Sequence, residues 1–293
     1  NPVKLKDLYG RVAKLLGKAI GRKLTSIECC LLIDEAAVTI VAGNIRRSAG
    51  MRQFASDDTS AAGAKENLWQ QDSEGNWRID PERDALRMAN HTRVYHTRPS
   101  RDVLLEAVTR QFHSGEGAIQ FAPEALARSN ADLLSTQELR SEFIEIYCDQ
   151  GRQEAGLWLQ QNHGPISEEE LEHRLSRYGL NPCGEILGAD FHCNLAEVHL
   201  NQIDPKDEDS QRDAFRAGAL SVACLLNHNF EVDRYRQSRA WDPIVGVSFT
   251  GLFDFFVHAF GTPWLKWWEA GRPETEEGLN YKKQEAEYLK RWK

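Results

Sequence analysis

The apolar positions near the start of the chain, Val3, Leu5, Leu8, Val12, Leu15 and Leu16, recur every three or four residues. That spacing predicts an amphipathic helix running from the first residues. A second helix is expected from Thr25 to about Glu35, with Ile27, Cys30 and Leu31 on its apolar face. Val38-Thr39-Ile40-Val41 is short and β-branched, as a buried strand is, and runs into Gly43-Asn44-Ile45-Arg46-Arg47-Ser48-Ala49. Residues 55–83 keep no sustained period, with Ser, Asp, Gly and Asn scattered around two Trp, and read as a polar excursion over the surface.

Further on, a helix is predicted from about Arg101 to His113, turning Val103, Leu104, Val108 and Phe112 toward a core, with Gly115 just past its end. Ala118-Ile119-Gln120-Phe121 reads as a strand. Ser167-Glu168-Glu169-Glu170 has the spacing of a capping box, so a helix should start there and stop at Gly179. Leu195 to Leu200 and Ile244 to Phe249 are expected strands. Between them, Ser210 to about Asn227 is a long helix with Phe215, Leu220, Val222 and Leu225 inward, and the last 20 residues read as a solvated helix. The alternation of element types, without internal repeats, predicts a mixed α/β fold.

Composition narrows the function classes. A chain of 293 residues suffices for one large domain or two ordinary ones. Six cysteines, at 29, 30, 148, 183, 193 and 224, are too sparse for a secreted disulfide framework and form no Cys-x-x-Cys pair, which favours a reducing, cytoplasmic setting. A net charge of -8, from 36 basic and 44 acidic residues, speaks against a nucleic-acid-binding role. No run approaches the roughly 20 apolar residues that cross a bilayer, and the opening residues lack a signal-peptide core. The helical start without an initiator Met suggests a chain cut from a longer polypeptide.

The segment with the most chemistry is Asn181-Pro182-Cys183-Gly184-Glu185. Pro182 biases Asn181 away from the α region and Gly184 is a poor helix former, so the segment is expected to be extended. Alternate residues of an extended chain share a face, which would align the Asn181 amide, the Cys183 thiol and the Glu185 carboxylate. Such a trio suits chemistry on a sugar with neighbouring hydroxyls. Taken alone it also fits a structural loop, a zinc site with His192 and Cys193, or a cysteine-dependent hydrolase.

The stretch from Leu180 through Asn-Pro-Cys-Gly-Glu-Ile to Cys193-Asn194-Leu195 resembles the active-site finger loop of class II ribonucleotide reductases, the adenosylcobalamin-dependent branch of that family. Val41 to Ala49 separately resembles the loop that links allosteric effector to substrate base, and the two signals stand in the family's order. Weaker similarity runs through Asn90-His91-Thr92, Gly115-Glu116-Gly117-Ala118 and Gly246-Val247-Ser248-Phe249-Thr250-Gly251.

The resemblance implies an internal part, residues 1–293, of a ten-stranded α/β barrel with the Cys183 segment on a central finger loop. It implies that Cys183 carries a thiyl radical that removes the 3′ hydrogen of the ribose, that Glu185 accepts the 3′-hydroxyl proton, and that Asn181 binds the sugar hydroxyls. Cys193 would be one of two reducing thiols. Gly43, Asn44, Arg46, Arg47 and Ser48 would form the specificity loop. The implied partners are a ribonucleotide, triphosphate by overall resemblance, a deoxynucleotide effector, a thioredoxin-like dithiol and the remainder of the reductase chain.

Three family features are not seen. A partner for Cys193 upstream of Gly43 is not assigned, since Cys29 and Cys30 fall on a predicted helix, and the phosphate-binding turn and the C-terminal thiol pair would lie beyond Lys293. A non-catalytic nucleotide-binding or assembly fragment of a split reductase, a cysteine-dependent hydrolase and a glycyl-radical relative remain the alternatives. Cys29, Cys30, Cys148 and Cys224 are expected to fill core positions, Arg46 and Arg47 could be a solvated pair, and Trp264, Trp267 and Trp268 read as packing.

Overall fold

Thr25 starts the second helix because its hydroxyl accepts from the Glu28 backbone amide at 3.2 Å while the Glu28 carboxylate accepts from the Thr25 amide at 2.9 Å. That reciprocal cap launches α2 (Ser26–Val38) behind α1 (Pro2–Lys18) in a computed structural model that describes residues 2–40 and 49–293. The expected specificity loop, Gly43, Asn44, Arg46, Arg47 and Ser48, lies outside the described residues. The strand expected at Val38-Thr39-Ile40-Val41 is corrected. Val38 ends α2 and packs beside Leu31, Ala85 and Leu86, and the Thr39 hydroxyl folds back on the Ala36 carbonyl at 2.7 Å. Thr39 and Ile40 continue as a turn with Ile40 exposed, and Val41 lies outside the described residues.

The chain divides into two compact units, residues 1–189 and 190–293. The first is built on a parallel sheet of β1 (Gly50–Ala55), β4 (Ala89–Tyr95) and β5 (Ala118–Phe121), in the order β1-β4-β5. Residues 55–83, between β1 and β4, hold α3 (Thr59–Ala62) and a hairpin of β2 (Trp69–Gln71) and β3 (Trp77–Ile79), with both Trp side chains exposed. On β1 and β4 the alternation sorts side chains by face. Arg52 points toward α2, where it pairs with fully buried Asp34. Met51 and Gln53 take the opposite face with their register partners Asn90 and Thr92, and Gln120, the partner of Val94, shares that face.

The crossover from β4 to β5 is α4 (Arg101–Ser114), ended by Gly115 at φ +70°. Its expected inward face is corrected. Val103, Leu104 and Val108 are exposed, Phe112 is 83% exposed, and only Ala107 is buried. Periodicity reports that a helix has an apolar side; it does not supply the surface that covers it. Helices α5 (Ala122–Ser129), α6 (Gln137–Gln150), α7 (Arg152–His163) and α8 (Glu168–Arg174) then close a core on Leu126, Leu134, Phe143, Tyr147, Leu159 and Leu175.

The second unit pairs β8 (Asn194–His199) in parallel with β9 (Val245–Thr250) across α9 (Glu208–Leu225) and α10 (Asp233–Trp241). Of the side chains expected to point inward from α9, Val222 is buried and Phe215 packs on the aromatic core, but Leu220 and Leu225 are exposed. Helices α11 (Leu252–Phe260), α12 (Thr262–Glu269) and α13 (Glu276–Trp292) share that core. Trp264 and Trp267 are buried in it while Trp268 is partly exposed. The last helix is not wholly solvated. Tyr281 is buried, and buried Glu285 accepts from Trp264 Nε1 at 2.7 Å and pairs with Arg272. Among the described residues no helix is long and apolar enough to cross a membrane.

Burial, then the nearby Lys65 and Arg52 cations, push the His91 imidazole down to about 4. A histidine held below its unfolded value of about 6.5 contributes fully above that pH and loses the contribution as pH falls toward the folded value. Urea melts at pH 7 and pH 4 should therefore show the wild type losing on the order of 3 kcal/mol more than His91→Gln. Equal losses in the two proteins would refute the buried neutral imidazole.

Candidate active site

Five residues after α8, the chain enters a hairpin of β6 (Gly179–Leu180) and β7 (Leu187–Gly188), in which Gly179 opposes Gly188. A Cβ on Gly179 would meet the Gly188 carbonyl oxygen at 2.5 Å. This glycine therefore serves close strand approach, and the expectation that it stops the preceding helix is corrected, since α8 ends at Arg174.

The expected extended conformation of Asn181-Pro182-Cys183-Gly184-Glu185 is likewise corrected. Gly184 N donates to the Asn181 carbonyl at 2.9 Å, closing a four-residue turn with Pro182 second and Gly184 at φ +78°. Pro182 fits that second position as well as it fits a strand, and the left-handed glycine reverses the chain. Asn181 Oδ1 accepts from Ile186 N at 3.1 Å, so the amide oxygen organises the loop while both donors of its NH2 group remain for a ligand. Asn181, Cys183 and Glu185 still share one short loop, with Cys183 and Glu185 exposed on it.

Two glutamines fasten this hairpin to the sheet. Gln53 Nε2 donates to the Tyr178 carbonyl at 2.9 Å and to Gln120 Oε1 at 2.6 Å, and Gln53 Oε1 accepts from Leu180 N at 2.9 Å. Gln120 Nε2 donates to the same Tyr178 carbonyl at 2.8 Å. Farther along, Asn90 Nδ2 donates to the Pro182 carbonyl at 2.6 Å, at the turn itself. A cleft of 690 Å³ opens between this sheet face and the hairpin, lined by Asn90, Thr92, Gln120, Cys183 and Glu185 together with Gly115, Glu116 and Gly117. That volume suits a nucleoside-sized ligand. The thiol can exchange a hydrogen atom, the carboxylate can take a proton, and the amides and the Thr92 hydroxyl can hold a polar ligand between them.

Cys193 belongs to the second unit and is exposed immediately ahead of β8. His192 beside it stacks on Phe230, ring centroids 4.1 Å apart. Among the described residues no group of three or more His, Cys, Asp or Glu converges as metal ligands would. The expectation that the remaining cysteines fill core positions holds only in part. Cys29 and Cys224 are exposed, whereas Cys30 and Cys148 are half-buried and burial pushes both of those thiols up. Gln53 and Gln120 were not singled out by motif, and Asn90 entered only through the weaker similarity at Asn90-His91-Thr92. For Gln120 the signal is a polar side chain between apolar neighbours in Ile119-Gln120-Phe121, since such residues are buried only when paired.

The chain is 26% identical over 263 residues to an adenosylcobalamin-dependent ribonucleoside-triphosphate reductase of Levilactobacillus brevis, covering 88% of this chain and 28% of the relative. It is 24% identical over 263 residues to the enzyme of the same name from Lacticaseibacillus paracasei, covering 89% and 28%. The chain thus spans 28% of the length of the curated relatives it matches, and its relationship to ribonucleoside-triphosphate reductases is distant. No protein-family model and no solved structure matches it.

Replacing Gln120 by Ala leaves the Gln53 amide and the Tyr178 carbonyl short of partners, at a cost of about 1–3 kcal/mol. Hydrogen exchange should show lost protection at Leu180 N with the α6 and α7 amides unchanged. Undiminished protection at Leu180 would show that the glutamines do not hold the hairpin.

Proposed function

We propose that this chain is the part of an adenosylcobalamin-dependent ribonucleotide reductase that carries the radical cysteine. The observation that carries the reading is the exposed Cys183 thiol on a hairpin anchored over a nucleoside-sized cleft, with the Glu185 carboxylate on the same loop. The distant relationship to ribonucleoside-triphosphate reductases supports it and favours triphosphate substrates. The three parallel strands with the hairpin on one face are what a segment of an α/β barrel with a central finger would present.

In this reading the ribose lies in the cleft between Asn90 and Thr92 on the sheet and the Asn181–Glu185 loop. Cys183 Sγ, as a thiyl radical, removes the 3′ hydrogen and later returns it. Glu185 takes the 3′-hydroxyl proton. The Asn181 NH2 group is the donor left for a sugar hydroxyl, because its oxygen is held by Ile186 N. Cys193 supplies one of the two reducing thiols and is restored by a thioredoxin-like dithiol. Gly43, Asn44, Arg46, Arg47 and Ser48 serve as the specificity loop that answers a deoxynucleotide effector. Cys183 is exposed at the hairpin turn, so a radical donor can reach it from outside, as such a cofactor requires. Adenosylcobalamin, when bound, supplies the initiating radical.

The test is turnover of a ribonucleoside triphosphate by the full reductase polypeptide with adenosylcobalamin and a dithiol. Cys183→Ala should form no deoxynucleotide, and product from this variant would overturn the proposal. Glu185→Gln should lower kcat by roughly 10²–10⁴-fold, the usual worth of a positioned base. Cys193→Ser should complete at most a single turnover; sustained turnover would remove Cys193 from the mechanism.

A further inference from the structure

A second cavity, of 270 Å³, lies between α4 and the sheet face that carries His91 and Arg93, the face opposite Asn90 and Thr92. Its cations are unequally provided for. Lys65 Nζ donates to Glu116 Oε1 and to the Ala89 carbonyl, both at 2.6 Å. Arg110 pairs with Glu106 at 2.8 Å and with Glu66 at 3.2 Å. The two carboxylates that line the cavity, Glu66 and Glu116, are therefore already engaged.

Arg93 is 8% exposed, and among the described residues its guanidinium has no carboxylate partner; its Nε is buried without a hydrogen bond. His91, 4% exposed, likewise leaves Nε2 buried and unbonded. A cation this enclosed and without a counter-charge is unfavourable unless something in the cavity answers it. Arg93 lines the cavity beside Arg110 and Lys65, so three cations on three different segments surround one small space.

We propose that this cavity is a binding site for a tetrahedral oxyanion of the phosphate type, with the Arg93 guanidinium as its principal partner. The planar fork of Arg93 can donate two parallel hydrogen bonds to such an ion, and Arg110 and Lys65 add charge from the helix and from the segment after α3. The volume exceeds that of a bare oxyanion, so the phosphate can be free or the end group of a small phosphomonoester. The cavity shares Glu116 and Gly117 with the Cys183 cleft but lies on the other face of the sheet, and phosphate binding there does not require the radical chemistry proposed for Cys183.

The experiment is calorimetric titration of the 293-residue chain with inorganic phosphate and with glycerol phosphate, alongside thermal melts against chloride at equal ionic strength. Saturable binding that raises the melting temperature beyond the chloride control is expected, and the tighter of the two ligands identifies the source of the phosphate. Arg93→Met should weaken binding at least tenfold and, in phosphate-free buffer, melt above the wild type because the unpaired charge is gone. Thr109→Glu, which brings a carboxylate from α4 into the same cavity, should also weaken phosphate binding at least tenfold while keeping Arg93. Absence of a phosphate effect beyond chloride, unchanged affinity in either variant, or a lower phosphate-free melting temperature for Arg93→Met would each overturn the proposal.

Discussion

The first unit's chemistry depends on two side-chain amides meeting one backbone carbonyl. Gln53 and Gln120 stand on the outer strands of the parallel sheet and both donate to the Tyr178 oxygen, while Gln53 also receives Leu180 N. A half-made network of this kind would be worse than none, because buried amides without partners carry the full cost of desolvation. Fully made, it fixes where the hairpin leaves the sheet. Asn90, bonded to the Pro182 carbonyl, fixes the turn that follows. Cys183 is placed by these contacts around it, so the thiol itself is left exposed and unencumbered.

The same arrangement divides labour between the two faces of the sheet. One face carries the hairpin and the cleft with Cys183 and Glu185, where a ligand needs polar donors and a reachable thiol. The other carries Arg52 against buried Asp34, with His91 and Arg93 nearby, where charge is enclosed by helices. Period-two alternation along β4 sends Asn90 and Thr92 to the first face and His91 and Arg93 to the second. Four consecutive residues of one strand thus serve two cavities. The distant relationship to ribonucleoside-triphosphate reductases bears on the use proposed for the first face and is silent on the second.

The elements that follow from local rules were legible in the sequence. The helix starts at Thr25 and Ser167, the left-handed glycine after α4 and the strands at 118–121, 194–199 and 245–250 depend on neighbours in the chain. What was misread depends on distant contacts. Gly179 looks like a helix stop, yet it is there because Gly188 comes within reach. Pro182 and Gly184 fit both a strand and a turn, and the hydrogen bond from Gly184 to Asn181 decides for the turn. The apolar stripe of α4 was legible as a stripe, but its exposure was not. Cys183 and Glu185 were legible by motif, whereas the part that Gln53, Gln120 and Asn90 play in holding the loop shows itself only when the sheet assembles.

The central claim is that the thiol placed by this clamp carries an unpaired electron. It is tested most directly by freeze-quenched electron paramagnetic resonance on the full polypeptide with adenosylcobalamin and a ribonucleoside triphosphate, prepared with and without β-deuterated cysteine. The account predicts a sulfur-centred signal whose hyperfine structure narrows on deuteration and which vanishes in Cys183→Ala. A cysteine-derived signal that persists in Cys183→Ala would contradict it.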